Sequence, residues 1–185
     1  MAKYGKLDLG QIEAIVNKLG GMEGVRKFLA EETVVAPTPS TIYVDRTIPA
    51  NYPDWVKEIL YDELEKKFPG PAEFDAGKLE QWLHDGQKNG YVTGNIIHQH
   101  LKDHDMLKDC LGLRDLEEIQ KKGITFFRKH FKGKAVFGWK AVVRSRDDNL
   151  GVPYLYEGGG RVCLSWHWLA YGWHSFNPAL LLAST

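Results

Sequence analysis

The stretch that decides the fold begins Val136-Phe-Gly-Trp-Lys-Ala-Val-Val143, turns at Asp147-Asp-Asn-Leu-Gly151 and continues as Val152-Pro-Tyr-Leu-Tyr156. In its first part the even-numbered residues from Val136 to Val142 alternate with the odd-numbered residues from Phe137 to Val143. This period of two is typical of a β-strand. Gly158-Gly-Gly160 predicts a second turn, and Arg161 to Leu169 predicts a third strand. Because these connections are short, we predict an antiparallel meander of three or four strands.

The residues upstream follow a helical period instead. Val56, Leu60, Leu64 and Phe68 recur every four residues, which predicts an amphipathic helix. A similar spacing predicts further helices as far as residue 133, among them one that Gly123 either kinks or splits. The middle of the chain is therefore predicted to be helical.

The N-terminal end predicts a pair of short helices that turn at Gly20-Gly21. Ala36-Pro-Thr-Pro-Ser40 predicts an extended connector, because each proline disfavours helical backbone in the residue before it.

We therefore predict an α+β protein with four parts. Residues 1–32 form a helical hairpin module and residues 33–50 an extended connector. Residues 51–133 form a helical region, which packs with the hairpin on the antiparallel β region of residues 134–185.

Composition places the chain among ordinary globular proteins, with 43% hydrophobic and 26% charged residues in a total of 185. No apolar run is long enough to cross a membrane, and the residues after Met1 lack the apolar stretch of a signal peptide. We expect a cytoplasmic protein that binds no membrane. Cys110 and Cys163 are the two cysteines, too few for a disulfide framework or a thiolate zinc site.

Charge is balanced overall but unevenly distributed. Lys plus Arg and Asp plus Glu both total 24, yet residues 121–146 contain basic side chains and no acidic one. Such a stretch indicates either an anionic partner or acidic neighbours within the fold. Aromatic residues interleave with these cations, as in nucleic-acid-binding proteins. The candidate binding residues of this basic stretch are Lys121, Lys122, Arg128, Lys129, Lys132, Lys134, Arg144 and Arg146, with Lys140 also inside it.

Three tryptophans near the C-terminal end are a second set of candidate binding residues. Trp166, Trp168 and Trp173 could stack on a sugar or a base. Large rings also fill the core of a small sheet, and the sequence alone leaves both interpretations open.

A histidine cluster spans His98 to Asp105. His100 and His104 lie one helical turn apart, whereas His98 points elsewhere on a helix, so the three cannot bind one metal ion together. A site on His100 and His104 would need further ligands, for which His84 and His130 are the candidates. We predict no metal and no cofactor, since no phosphate-binding loop, dinucleotide-binding fingerprint or nucleophile motif is present.

Three segments resemble a group of small proteins of candidate-phylum bacteria known from metagenomes. They are Leu19-Gly-Gly-Met-Glu-Gly-Val-Arg-Lys-Phe-Leu29, Asp115-Leu-Glu-Glu-Ile-Gln-Lys-Lys-Gly123, and the strand, turn, strand and tryptophan pattern at the end. In that group a similar hairpin precedes different middles. The resemblance implies a boundary near Val35 and a bacterial origin, and it implies no activity and no role for any residue.

The sequence thus favours a non-enzymatic protein whose N-terminal hairpin binds a protein partner. Nucleic-acid binding through the basic stretch is the first alternative. The second alternative is a small metal-dependent hydrolase that uses the cluster from His98 to Asp105. No catalytic residue is predicted.

Overall fold

The structure is a computed structural model that describes residues 9–18, 21–23 and 40–183. The chain divides into two compact units, Met1–Pro39 and Ser40–Thr185. In the first unit, helix α1 spans Leu9–Lys18, and residues 21–23 are also helical. The remainder of the predicted hairpin and residues 33–39 of the predicted connector lie outside the described residues.

The second unit contains five more helices and eleven strands in its described part. The helices are α2 (Asp62–Lys67), α3 (Asp85–Lys88), α4 (Gly94–Asp103), α5 (Leu113–Lys121) and α6 (Gly123–Phe131). The strands are β1 (Thr41–Tyr43), β2 (Val56–Ile59), β3 (Glu73–Asp75), β4 (Glu80–Trp82), β5 (Val92–Thr93), β6 (Val136–Phe137), β7 (Val143–Ser145), β8 (Leu150–Gly158), β9 (Arg161–Trp168), β10 (Gly172–Trp173) and β11 (Ala179–Leu181). The protein is therefore of mixed helix and strand composition, as the sequence predicts.

The main sheet has seven strands in the order β2-β7-β8-β6-β11-β4, and β9 pairs with β8. Strands β7, β8 and β9 form the predicted antiparallel meander. The prediction of three or four strands is wrong, however, because β2 and β4 join the sheet from the middle of the chain. The purely antiparallel arrangement is also wrong, since β11 runs parallel to β6.

Each face of this sheet packs on a separate hydrophobic core. Neighbouring residues of one strand alternate between the two cores, as Val136 and Phe137 do in β6. One core includes Phe126, Phe127 and Phe131 of α6. The other includes Ile97 and Leu101 of α4. Helices therefore cover both faces of the sheet.

The strand predicted over residues 136–143 is interrupted by a 3₁₀ turn at Trp139–Ala141. Trp139 and Val142 both enter the core that contains Phe137. A regular strand would place residues 139 and 142 on opposite faces, so the turn is what allows both to be buried together. The same turn places Lys140 where its Nζ atom donates a hydrogen bond of 3.0 Å to the carbonyl of Phe68.

Two predicted helices in residues 51–133 are replaced in part by strands. Val56–Ile59 pairs with β7, and helix α2 begins only at Asp62. Glu80–Trp82 lies within a second segment that the helical spacing assigns to a helix, yet it pairs with β11, and Asp75 before it caps only a 3₁₀ turn. Sheet pairing with distant residues outweighs the local helical pattern at both places.

Gly123 separates α5 from α6, so of the two predicted outcomes, a kink or a split, the structure has the split. Its φ is +80°, a left-handed conformation that glycine adopts without the penalty of a Cβ atom. No helix in the described residues is both long enough and apolar enough to span a membrane.

Candidate functional site

A cleft of about 500 Å³ opens in the second unit, beside the edge of the sheet that β2 forms. We call it the interior cleft. The loop between β1 and β2, helix α2, the start of α5 and the 3₁₀ turn at Trp139–Ala141 surround it. Its lining residues include Arg46, Ile48, Pro49, Ala50, Tyr52, Ile59, Asp62, Glu65, Lys66, Pro69, Gly112, Arg114, Asp115 and Lys140.

Glu65 is the central acid of the interior cleft. It lies on α2, and the Tyr52 hydroxyl donates a hydrogen bond of 3.2 Å to its Oε2 atom. Its other oxygen, Oε1, lies so close to Gly112 that a Cβ atom there would come within 2.8 Å of it. The absence of a side chain at residue 112 therefore makes room for this carboxyl group.

Burial raises the pKa of Glu65 to about 7. The hydrogen bond from Tyr52 and the charge of Lys140 oppose this rise, while Asp115 and Asp62 add to it. Burial and the neighbouring Glu65 also raise the pKa of Tyr52, which stays protonated as a hydrogen-bond donor. Glu65 therefore exchanges its proton near neutral pH.

Asp115 fixes the opposite wall of the cleft. This carboxylate is 3% exposed, and its Oδ2 accepts a hydrogen bond of 2.8 Å from the backbone N–H of Gly112 at the start of α5. Arg46 Nη2 lies 2.6 Å from Oδ1, an ion pair whose angles fall outside those of a regular hydrogen bond. Arg46 also donates to the carbonyl of Pro71. These contacts hold one buried acid and one base in fixed positions.

The remaining charged groups of the cleft divide into paired and unpaired ones. Arg114 forms ion pairs with Glu117 and Glu118. Asp62 pairs with Lys66 at 2.8 Å. Within the described part of the chain, Glu65 and Lys140 form no ion pair, although both line the cleft. An acid and a base thus face the same space without a fixed partner of opposite charge.

Sequence reasoning missed this cleft. Its lining residues are spread from Arg46 to Lys140, and their approach depends on the pairing of β2 with β7. One signal was present in the sequence, because Lys140 interrupts the apolar run from Ala135 to Val143. Lysine is almost never fully buried without polar partners, so a lysine in such a run indicates either a break in the strand or a buried lysine with specific partners.

The cations of the basic stretch largely contact groups of the same protein. Lys121 pairs with Glu118, Arg128 with Glu157 and Arg144 with Glu58. Arg146 donates to the carbonyl of Asp54, Lys134 to the side chain of Gln81, and Lys122 lies 6.0 Å above the ring of Tyr43. Lys129 also makes a contact, and Lys132 lies near Glu157. These contacts favour acidic neighbours within the fold over an anionic partner.

The aromatic residues of the basic stretch are core residues. Phe126, Phe127, Phe131, Phe137 and Trp139 are at most 1% exposed. None of these five rings is available for stacking on a base.

The three candidate tryptophans do not lie together. Trp166 and Trp168 are half-buried on β9, and both contact Trp55 edge to face at 5.3 and 5.4 Å between ring centroids. Trp173 is fully buried against Phe137 and Trp139. The prediction that Trp173 contributes to a stacking surface is therefore wrong, because its ring has no exposed face.

The histidine cluster separates as the helical spacing predicts. His98 is buried, and its Nε2 atom lies 2.6 Å from the Tyr61 hydroxyl. Burial lowers the pKa of His98 to about 4, so the ring is neutral at physiological pH.

His100 instead lies between two other imidazole rings, 4.0 Å from His104 and 5.1 Å from His84 between centroids. His130 lies elsewhere, against Phe126. No group of three or more His, Cys, Asp or Glu residues among those described is arranged to hold a metal ion.

Comparisons of this chain with protein-family models, with curated proteins and with solved structures find no match.

Proposed function

We propose that this protein binds a small organic molecule in the interior cleft and exchanges a proton with it through Glu65. The observation that carries the proposal is a half-buried carboxyl group, with its pKa raised to about 7, in the wall of a cleft. Groups with strongly shifted pKa values in clefts are concentrated at functional sites. Proton transfer is most effective when the pKa of the group lies near the working pH.

The size and lining of the cleft support a small organic ligand. A volume of about 500 Å³ is within the range of small-molecule sites. Ile48, Pro49, Ala50, Ile59 and Pro69 supply apolar walls. The other lining residues are mostly charged, so a ligand would meet apolar walls on some sides and polar groups able to orient it on others.

The charges around the cleft support a ligand with a polar end. Arg46 and Arg114 already form ion pairs with acidic residues of the protein. These pairs hold the two arginines in place, so neither is free to bind an anionic ligand. Glu65 and Lys140 have spare hydrogen-bonding capacity. A hydroxyl or carbonyl group of the ligand between them would receive hydrogen bonds from both.

The test is a screen of small neutral and anionic organic fragments by NMR against uniformly labelled protein. We expect a subset of fragments to shift the signals of Tyr52, Glu65 and Gly112, and their affinity to change between pH 6 and pH 8, roughly one unit either side of the pKa of Glu65.

Two variants make this test specific. Glu65→Gln removes the proton exchange and should remove the pH dependence of binding, whereas Glu63→Gln changes an exposed carboxylate on the same helix and should leave it intact. Failure to find any cleft-binding fragment, or binding that is indifferent to Glu65→Gln, would overturn the proposal.

The predicted protein-binding role of the N-terminal hairpin depends mostly on residues outside the described ones, and it stays a prediction. Nucleic-acid binding through the basic stretch also stays a prediction. The internal contacts of Arg128 and Arg144 give it less support than the interior cleft gives to small-molecule binding.

A further inference from the structure

Lys140 lines the interior cleft although only 3% of its surface is exposed, which is unusual for a lysine. The 3₁₀ turn at Trp139–Ala141 interrupts the strand and places its side chain at the cleft. Nζ donates one hydrogen bond of 3.0 Å, to the carbonyl of Phe68 at the end of α2. A lysine ammonium has three donors, so this arrangement leaves capacity for a bound molecule.

Among the residues that the structure describes, the neighbours of Lys140 do not supply a dedicated counter-ion. Asp115 is committed to Arg46 and to the N–H of Gly112. Glu65 is hydrogen-bonded to Tyr52 and holds its proton up to neutral pH. Burial lowers the pKa of Lys140, while the charges of Asp115, Cys110 and Glu65 only partly oppose this effect. The uncharged amine, with its lone pair, is thus favoured more than on a surface lysine.

We propose that the Lys140 amine is a nucleophile that forms an imine with the carbonyl group of an aldehyde or ketone bound in the interior cleft. The inference rests on the proposed function, since the carbonyl compound is the small molecule that the cleft would hold. Desolvation of a lysine, or a second cation beside it as Arg46 is here, is a recurrent way of activating an amine for attack on carbonyl carbon.

The reaction balances with the groups present. The nitrogen lone pair of Lys140 attacks the carbonyl carbon, the C=O π bond opens onto oxygen, and one proton passes from the nitrogen to that oxygen to give a carbinolamine. Glu65 then gives a proton to the departing hydroxyl, which leaves as water, and regains a proton from the nitrogen as the C=N bond forms. The net products are the imine and one water molecule, and neither an oxidant nor a reductant is required.

The experiment traps the imine with a probe. The folded protein at pH 7 is treated with propanal and sodium cyanoborohydride, which reduces an imine to a stable propylated amine, and modification of each lysine is measured by peptide mass spectrometry. Lys57 and Lys88, which are more than half exposed, serve as internal references. We expect Lys140 to be modified faster than these, because a lowered pKa raises the unprotonated fraction of its amine at pH 7.

The same labelling in urea shows whether the preference for Lys140 depends on the folded structure or on the local sequence. In the unfolded chain all lysines have ordinary pKa values, so the preference for Lys140 should disappear. Modification of Lys140 at or below the rate of Lys57 and Lys88 in the folded protein would overturn the inference. If fragments nevertheless bind the cleft in a manner that depends on Glu65, the proposed function stands without the imine. If Lys140 is labelled but Glu65→Gln changes the binding of no fragment, the proton-exchange role of Glu65 fails instead.

Discussion

The basic stretch and the interior cleft both pair cations with acids, but at very different depths. The side chains of Arg128 and Glu157 are 50% and 32% exposed, whereas those of Arg46 and Asp115 are 19% and 4% exposed. Exposed pairs contribute about 0–1 kcal/mol because water screens them and their side chains lose freedom. Breaking a buried pair costs far more, since one charge is left without a partner. The density of charge along the sequence therefore points to the exposed ion pairs, which contribute less to stability than the buried pair of the cleft.

The largest expected effect is on stability when Asp115 is replaced by Ala. The change leaves Arg46 without its acid and the Gly112 N–H without its acceptor. We expect a loss of about 3–5 kcal/mol in the free energy of unfolding, measured by urea denaturation. Asp148→Asn removes the charge of the exposed pair with Lys57 and keeps a residue type that tolerates the φ of +62° at this position, so it should cost far less. Equal losses in the two variants would remove the distinction between buried and exposed charge.

The second effect is a dependence of stability on pH that comes from Glu65. Its pKa rises from 4.5 in the unfolded chain to about 7 in the folded protein. Between these values the folded protein holds a proton that the unfolded chain has released, so the free energy of unfolding falls as pH rises. At 1.36 kcal/mol for each unit, the loss from this group is about 3 kcal/mol, complete just above pH 7.

Glu65→Gln should abolish this contribution, because the amide does not titrate. Urea denaturation at several pH values would show it as a flatter profile for the variant than for the wild type. Glu63→Gln, on the exposed side of the same helix, should keep the wild-type profile. Superimposable profiles for wild type and Glu65→Gln would contradict the raised pKa.

A smaller effect is expected for Gly112→Ala. The backbone at Gly112 has φ of −100°, which alanine adopts without strain, so the cost comes from the new Cβ atom 2.8 Å from Glu65 Oε1. The carboxyl group ends a flexible side chain and can turn away, at the loss of its hydrogen bond from Tyr52. We expect a cost of about 1 kcal/mol.

A double-mutant cycle isolates this contact. In a Glu65→Ala background the clash is gone, and Gly112→Ala should then be nearly neutral. An unchanged cost in that background would place the effect elsewhere in α5.

The same comparison explains what the sequence could predict. The meander of β7, β8 and β9 follows from local alternation and from short turns such as Gly158-Gly-Gly160. The strand Val56–Ile59 could not be predicted, because the helical spacing of Val56, Leu60 and Leu64 is outweighed by pairing with β7.

The cleft depends on such distant pairings. Glu65 and Gly112 are far apart in sequence, and their contact exists only once α2 lies against the start of α5. The basic stretch, by contrast, is continuous in sequence and was therefore visible. Local patterns reveal charge and periodicity, whereas burial of a particular carboxyl group is a property of the assembled fold.

The smallest expected effect concerns the basic stretch itself, where Arg128, Lys129 and Lys132 are replaced together by Gln. Arg128 donates from Nε to both carboxylate oxygens of Glu157, at 3.1 Å each, in an exposed pair. We expect only a small fall in the free energy of unfolding, because water screens an exposed pair. If the cations instead bind nucleic acid, the wild type should bind DNA or RNA with an affinity that falls with salt at a slope of roughly −0.7 to −0.9 per phosphate contact, and the triple variant should lose up to about three contacts. Because the acid that Arg128 needs is already supplied by Glu157, we expect only the small change in stability. Tight, salt-sensitive nucleic-acid binding by the wild type, lost in the triple variant at unchanged stability, would reverse the comparison and make the exposed charges the functional ones.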